Sequence, residues 1–246
     1  FSRYMRGESS FDDWKRTWFQ PVNDDADPRH ANPAGFQWAF LDHLVETQVL
    51  PMQQRLRARG DDLWLSLVYV GGRNPVHKGN PEEYAELVEQ AFLHLRDRYD
   101  LVPRSVEVIN EPNMHETWTP SEVAQALLVV RSRLAAAGFT PQFIGPSTST
   151  MQAAELFVDG MLAVPGTREA LTDLSYHRYG GNLEVLERLA RRADSLGYRT
   201  AMNERIGADH DTLYGEGGAD ALDGGAGNDM LHGGPGNNVY LFGKGD

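Results

Sequence analysis

The sequence predicts an α/β protein: a parallel sheet alternating with helices over residues 1–206, followed by a short parallel β-roll of nine-residue repeats over 207–246. Three observations carry this. β-rich segments begin near residues 63, 105, 142, 173 and 199, each followed by a helical pattern, which is the rhythm of βα units and of a parallel sheet. Glycine is unevenly spread, with 12 of the 25 in the last 40 residues. That Gly-rich stretch also repeats itself at a fixed period.

The elements follow in order. Phe36–Arg59 reads as a long helix with Leu41, Leu44, Val45, Leu50 and Leu56 on its buried side, and Phe1–Met5 as a clipped strand upstream. Leu63–Val70 is a continuous apolar strand run ending at Gly71-Gly72, and Pro81–Tyr99 is a helix with Leu87, Ala91 and Leu95 on one stripe. Val106–Asn110 is the next strand, and its helix runs from about Ser121 to Ala137, opened by Pro120 and closed by Gly138. The strand Phe143–Gly145, a helix at Gln152–Ala163, the strand Leu174–Tyr179, a helix at Leu183–Leu196 and the strand Thr200–Asn203 complete the body. An open doubly wound sheet and a (β/α)8 barrel both satisfy this alternation. The sequence contains no G-x-G-x-x-G after a strand and no P-loop, so dinucleotide and nucleotide readings lack their phosphate cradle.

Composition narrows the function. With 23 Lys+Arg against 35 Asp+Glu, the net charge of -12 argues against a nucleic-acid partner. No apolar run approaches the roughly 20 residues of a membrane helix. The absence of Cys removes disulfides, thiolate metal sites and Cys nucleophiles together. The chain begins at Phe1 without Met or a charged-then-apolar leader, as a mature or excised segment would.

In the tail, Asp211, Asp220, Asp229 and Asn238 form one column, Leu213, Leu222, Leu231 and Tyr240 another, and Gly215, Gly224 and Gly233 a third. Residues 224–232, GGAGNDMLH, satisfy G-G-x-G-x-D-x-U-x at every defined position, the pattern of a calcium-binding β-helix repeat. Glycines permit the tight turns and bring carbonyls together, Asp offers hard oxygen to Ca²⁺, and the apolar residue of each x-U-x triplet stacks inside. The candidate calcium ligands are Asp209, Asp211, Gly218, Asp220, Gly227, Asn228 and Asp229. Glu216 and Asn238 depart from the pattern, and the chain stops soon after Tyr240 as though further repeats had been cut away. The tail resembles the RTX, haemolysin-type repeats of secreted bacterial proteins. That resemblance implies structural Ca²⁺, an extracellular location and one-step export through a C-terminal signal not visible here.

The strand ends of the body carry acid. Val106–Ile109 ends in Asn110-Glu111-Pro112-Asn113, and the strand three units later ends in Met202-Asn203-Glu204. At the C-terminal ends of barrel strands, residues far apart in sequence converge on one pocket. Retaining glycoside hydrolysis needs two such carboxyl groups about 5–5.5 Å apart, one protonated to assist the leaving oxygen and one ionised to attack the anomeric carbon. His177 and Tyr179 lie on the strand between them in order. Trp118, in the loop after Glu111, is the best candidate to stack on a sugar, ahead of Trp14, Trp38 and Trp64. Glu107, four residues before Glu111, reads as a structural inner-layer acid, and residues 23–28 as a surface loop.

Over residues 1–206 these features resemble the clan A retaining glycoside hydrolases, (β/α)8 TIM barrels with an Asn-Glu-Pro acid/base motif after strand 4 and a nucleophile Glu after strand 7. The resemblance implies Glu111 as acid/base, Glu204 as nucleophile, Asn110 as partner of the substrate 2-hydroxyl, and His177 with Tyr179 as strand-6 pocket residues. It numbers the five clear strands 3 to 7. The implied substrate is a β-linked polysaccharide or oligosaccharide, with no cofactor for the catalytic step. The repeats begin where helix 7 and strand 8 would continue, so the expected barrel is incomplete. The rival reading is a non-catalytic calcium-binding RTX protein carrying a truncated, inactive glycosidase barrel.

Overall fold

The computed structural model describes residues 23–70, 76–114, 118–180 and 182–204, and in the tail 212–214, 221–223, 230–232, 235–236 and 239–241. Strands β1 (Ser66–Val68), β2 (Ser105–Glu107), β3 (Gln142–Thr148), β4 (Asp173–His177) and β5 (Arg199–Glu204) form one sheet. The order is β1-β2-β3-β4-β5 and every pairing is parallel. A doubly wound sheet reverses its strand order at a switch point. Here each unit is added beside the last, which is barrel winding. Among the described residues the sheet has five strands, with β1 and β5 at its edges.

The helices are α1 (Ala39–Leu44), α2 (Leu50–Arg57), α3 (Pro81–Tyr99), α4 (Pro120–Ala136), α5 (Met151–Leu162), α6 (Thr167–Ala170) and α7 (Leu183–Leu196). The expected helix 36–59 is thus narrower and broken by a π-helical turn at Val45–Val49, where the Leu50 N–H donates to the Val45 carbonyl. Pro51 follows at once and has no N–H for the Thr47 carbonyl, which favours the wider turn. The expected helix at 121–137 begins one residue earlier, behind a capping box: Thr119 accepts from the Glu122 N–H and the Glu122 carboxylate accepts from the Thr119 N–H. The short helix α6 has no counterpart in the apolar periodicity.

One core joins sheet and helices. Tyr84, Val88 and Phe92 of α3, Leu127, Val130 and Leu134 of α4, Val158 and Met161 of α5 and Leu189 of α7 are buried with Val106, Phe143, Leu174 and Tyr176 of the strands. Leu65, Leu67 and Tyr69 pack partly against the core while Ser66, Val68 and Val70 are exposed, the period-two alternation of a strand with one covered face.

Two strands are shorter than their apolar runs. The ladder of β2 ends at Glu107, and the Val108 carbonyl is taken by the Tyr84 hydroxyl from α3. Residues 23–28, expected as a plain surface loop, instead reach inward through Asn23. Its Oδ1 accepts from His77 Nε2–H at 3.1 Å, its Nδ2 donates to Glu83 at 3.3 Å, and His77 Nδ1 accepts from the Tyr69 hydroxyl at 2.7 Å. Phe1–Met5 and Trp14 lie outside the described residues.

In the tail, β6 (Thr212–Tyr214) pairs in parallel with β8 (Met230–His232), and β7 (Ala221–Asp223) with β9 (Val239–Leu241). Successive repeats therefore alternate between two small sheets, and Leu213 stands opposite Leu231 two repeats on. This is a β-roll built on the nine-residue period.

Burial lowers the His77 pKa to about 4. Unfolded His titrates near 6.5, so between these values the unfolded chain binds more protons and folding stability is lost as pH falls. Thermal melts of the protein should lose on the order of 3 kcal/mol of stability between pH 6.5 and 4 from this group. A His77→Gln variant should show a correspondingly flatter pH dependence.

Candidate active site

The turn after β2 carries Glu111, and His177 and Glu204 are the last residues of β4 and β5. The Asn110-Glu111-Pro112-Asn113 turn is fastened on both sides. The Asn110 N–H donates to the Tyr69 carbonyl at 2.9 Å and the Glu111 N–H to the Ser147 carbonyl at 3.0 Å. Asn113 closes it: its Oδ1 accepts from the Ser149 N–H at 3.0 Å and its Nδ2 donates to Ser149 Oγ at 2.8 Å. Glu111 itself has φ 49°, a left-handed conformation that costs a non-glycine residue energy and persists because its neighbours fix it.

The Glu111 side chain is 21% exposed, and its Oε1 lies 3.0 Å from Nδ1 of His177, which is fully buried. A His177 Nδ1–H can donate to Oε1 whether the Glu111 carboxyl is ionised or carries its proton on Oε2. The contact therefore serves a carboxyl group in either charge state. Tyr179 is 41% exposed and stands edge-on to the His177 ring, with centroids 6.1 Å apart.

Glu204, described through its backbone, closes β5 at the register position of His177. Strand β5 is fastened to β4 at its start by the bidentate pair of Arg199 with Asp173, at 2.8 and 2.9 Å. From there the register runs one to one as far as Tyr176 opposite Met202, then skips Asn203, so that His177 faces Glu204. Asn203 is the extra residue of a β-bulge, and without it His177 would face Asn203.

Trp118 is placed otherwise than expected. It is 4% exposed and packs edge-on against Tyr84 and Tyr69, at centroid distances of 5.7 and 6.4 Å. Its large apolar ring packs between buried Tyr84 and partly buried Tyr69, a core role that a position in a loop does not reveal. Trp64 is half exposed at the opposite end of the sheet, with its Nε1–H on Ser105 Oγ, and Trp38 stacks between Phe36 and His94. The site residues that sequence reasoning missed are Asn113, Ser147 and Ser149. Asn113 stands in the Asn-Glu-Pro-Asn turn without a predicted role, Ser147 and Ser149 carry no motif, and only the fold brings β3 against the Glu111 turn.

Among the described residues no group of three or more His, Cys, Asp or Glu is arranged to hold a metal ion. The candidate calcium ligands Asp209, Asp211, Gly218, Asp220, Gly227, Asn228 and Asp229 lie outside them. The described strands fit calcium-binding repeats all the same. They pair at a spacing of two repeats, and the sequence between them is rich in the carboxylate and carbonyl oxygen that Ca²⁺ prefers.

Residues 206–240 match the family model of the RTX calcium-binding nonapeptide repeat, in four copies. No curated protein matches the chain in sequence. Among solved structures the fold is similar to the endo-beta1,6-glucanase BT3312, at 14% identity and a TM-score of 0.52, over 72% of this chain and 44% of that one. It is also similar to SrfJ from Salmonella typhimurium, at 17% identity and a TM-score of 0.54, over 73% and 42%. The chain thus spans less than half the length of either structure. Its body has a TIM-barrel-like fold of the kind found in a glycoside hydrolase, and its tail is made of repeats that imply calcium binding. No helix among the described residues is long and apolar enough to cross a membrane.

Replacing Asn113 with Ala removes both clamps on the Glu111 turn and leaves the Ser149 N–H to find a new acceptor. Urea unfolding should register a loss of about 1–2 kcal/mol.

Proposed function

We propose that this chain is the catalytic portion of an extracellular retaining glycosidase that cleaves β-linked glycans, with units at 1–206 and 207–246, the second ordered by Ca²⁺. The observation that carries the reading is His177, which touches the Glu111 carboxyl at 3.0 Å and is the register partner of Glu204. One buried histidine thus touches the first strand-end acid and is the ladder partner of the residue that carries the second. The fold shared with a solved endo-beta1,6-glucanase supports the same class of chemistry.

In this reading Glu111 gives its proton to the leaving glycosidic oxygen while Glu204 attacks the anomeric carbon, forming a covalent glycosyl-enzyme. Water then attacks that carbon, Glu111 takes the water's proton, and Glu204 leaves with its carboxylate restored. His177 meets Glu111 in both charge states of this cycle. In this reading Asn110 would meet the substrate 2-hydroxyl, and half-exposed Tyr179 would line the pocket. In the tail, the carboxylates of Asp209, Asp211, Asp220 and Asp229, the Asn228 side chain and the carbonyls of Gly218 and Gly227 would hold Ca²⁺, whose charge lets the acidic turns close on one another.

Proton NMR of a β-glycoside digest should show the β-anomer as the first product. Glu204→Ala should lower turnover by at least about a thousandfold, on the order of the loss of a catalytic nucleophile. A folded, calcium-binding protein that hydrolyses no β-glycoside supports instead the rival reading of a non-catalytic calcium-binding protein. For the tail, circular dichroism should gain strand signal on addition of Ca²⁺, and Asp229→Ala should raise the calcium concentration this takes.

A further inference from the structure

Below the strand ends lies a row of polar groups on the inner side of the sheet. Asn203 Nδ2 donates to Glu107 Oε2 at 2.6 Å and approaches Ser147 Oγ at 3.3 Å, and Ser147 Oγ is 2.7 Å from Ser175 Oγ. Glu107, Ser147 and Ser175 are buried. The row ties together β2, β3, β4 and β5.

Two of its members are the extra residues of bulges. Asn203 is skipped between β4 and β5, and Ser147 is skipped between β3 and β4, where Pro146 faces Ser175 and Thr148 faces Tyr176. Ser147 also has φ 54°, and its carbonyl holds the Glu111 N–H. The two irregular residues that set Glu111 and Glu204 in place are thus bonded to each other, and Asn203 is bonded to the Glu107 carboxyl.

We propose that Glu107 is a positioning residue for the reaction. By accepting from Asn203 it pins the bulge of β5, and so fixes the one-residue shift that sets Glu204 opposite His177. A bulge confined to the end of a strand whose start is locked by Arg199 and Asp173 needs a bond of its own to hold the extra residue out of the ladder. The bond joins the exposed Asn203 amide to the buried Glu107 carboxylate, and a charge-assisted bond to a buried acceptor is costly to lose. The inference deepens the proposed glycosidase reading and rests on it for its catalytic consequence, whereas the register claim stands apart.

The test compares Glu107→Gln, whose amide oxygen still accepts from Asn203, with Glu107→Leu and Asn203→Ala, which lose the bond. On an aryl β-glycoside, Leu and Ala should lower kcat by about 10- to 100-fold with KM changed less than about threefold, the scale expected for a catalytic group misplaced by about 1 Å. Gln should restore kcat to within about threefold of wild type. A residue serving stability alone would lower the melting temperature and leave the kcat of the folded enzyme unchanged, and that outcome overturns the proposal, as does a Gln variant as impaired as Leu. Crystal structures of Asn203→Ala and Glu107→Gln provide the readout that needs no activity. The ladder should become regular in the first, with His177 facing residue 203, and keep its bulge in the second. An unchanged register in Asn203→Ala overturns the proposal even if the protein is an active glycosidase. A wild-type protein without turnover overturns the glycosidase reading and leaves the register comparison to decide this one.

Discussion

A parallel ladder advances one residue for one, and the side-chain period of two then fixes which residues share a face. Everything at the candidate site depends on breaking that count at one level of the sheet. Between β4 and β5 the extra residue is Asn203, and between β3 and β4 it is Ser147. Between β1 and β2, the Tyr69 N–H donates to the Glu107 carbonyl while the Tyr69 carbonyl accepts from Asn110, one residue later than a regular ladder would supply. The lower parts of these strands remain regular, held by apolar packing against the helices and by the Asp173–Arg199 pair. The upper ends are thereby irregular at the level where the Glu111 turn and the backbone of Glu204 stand.

The cost of this arrangement is polar burial. Extra residues leave backbone and side-chain groups that the ladder does not satisfy, and in a sheet interior each must find a partner. The side chains of Glu107, Asn203, Ser147, Ser175 and Asn113 supply those partners, with the carbonyls of Ser147 and Tyr69 receiving the N–H groups of the Asn-Glu-Pro turn. Glu111 meets His177 at the end of this chain of bonds. The left-handed backbone of Glu111 and Ser147 belongs to the same solution, since both residues stand where the chain leaves regular strand geometry and are joined by the bond between them.

Much of this was legible in the sequence. The alternation of apolar runs and amphipathic stretches located all five strands and the four long helices, because burial imposes those periods directly. The Asn-Glu-Pro turn and Asn203-Glu204 fall at strand ends, and the repeat columns of the tail fix its strands to within a residue. The bulges were not legible. Ser147 and Asn203 are ordinary polar residues, and their role arises from partners on other strands. Trp118 misled for the converse reason: its place after Glu111 suggested an open loop, while the space between Tyr69 and Tyr84 drew its ring into the core. Glu107 is buried, as an inner-layer position predicts, but nothing in the sequence points to Asn203 as its partner.

The most direct measurement is the separation of the Glu111 and Glu204 carboxyl groups in an experimental structure of the calcium-loaded protein. A retaining site places them about 5–5.5 Å apart, with His177 against Glu111. A separation beyond about 10 Å, too wide even for the water of an inverting site, would contradict the assignment of these two acids to one reaction.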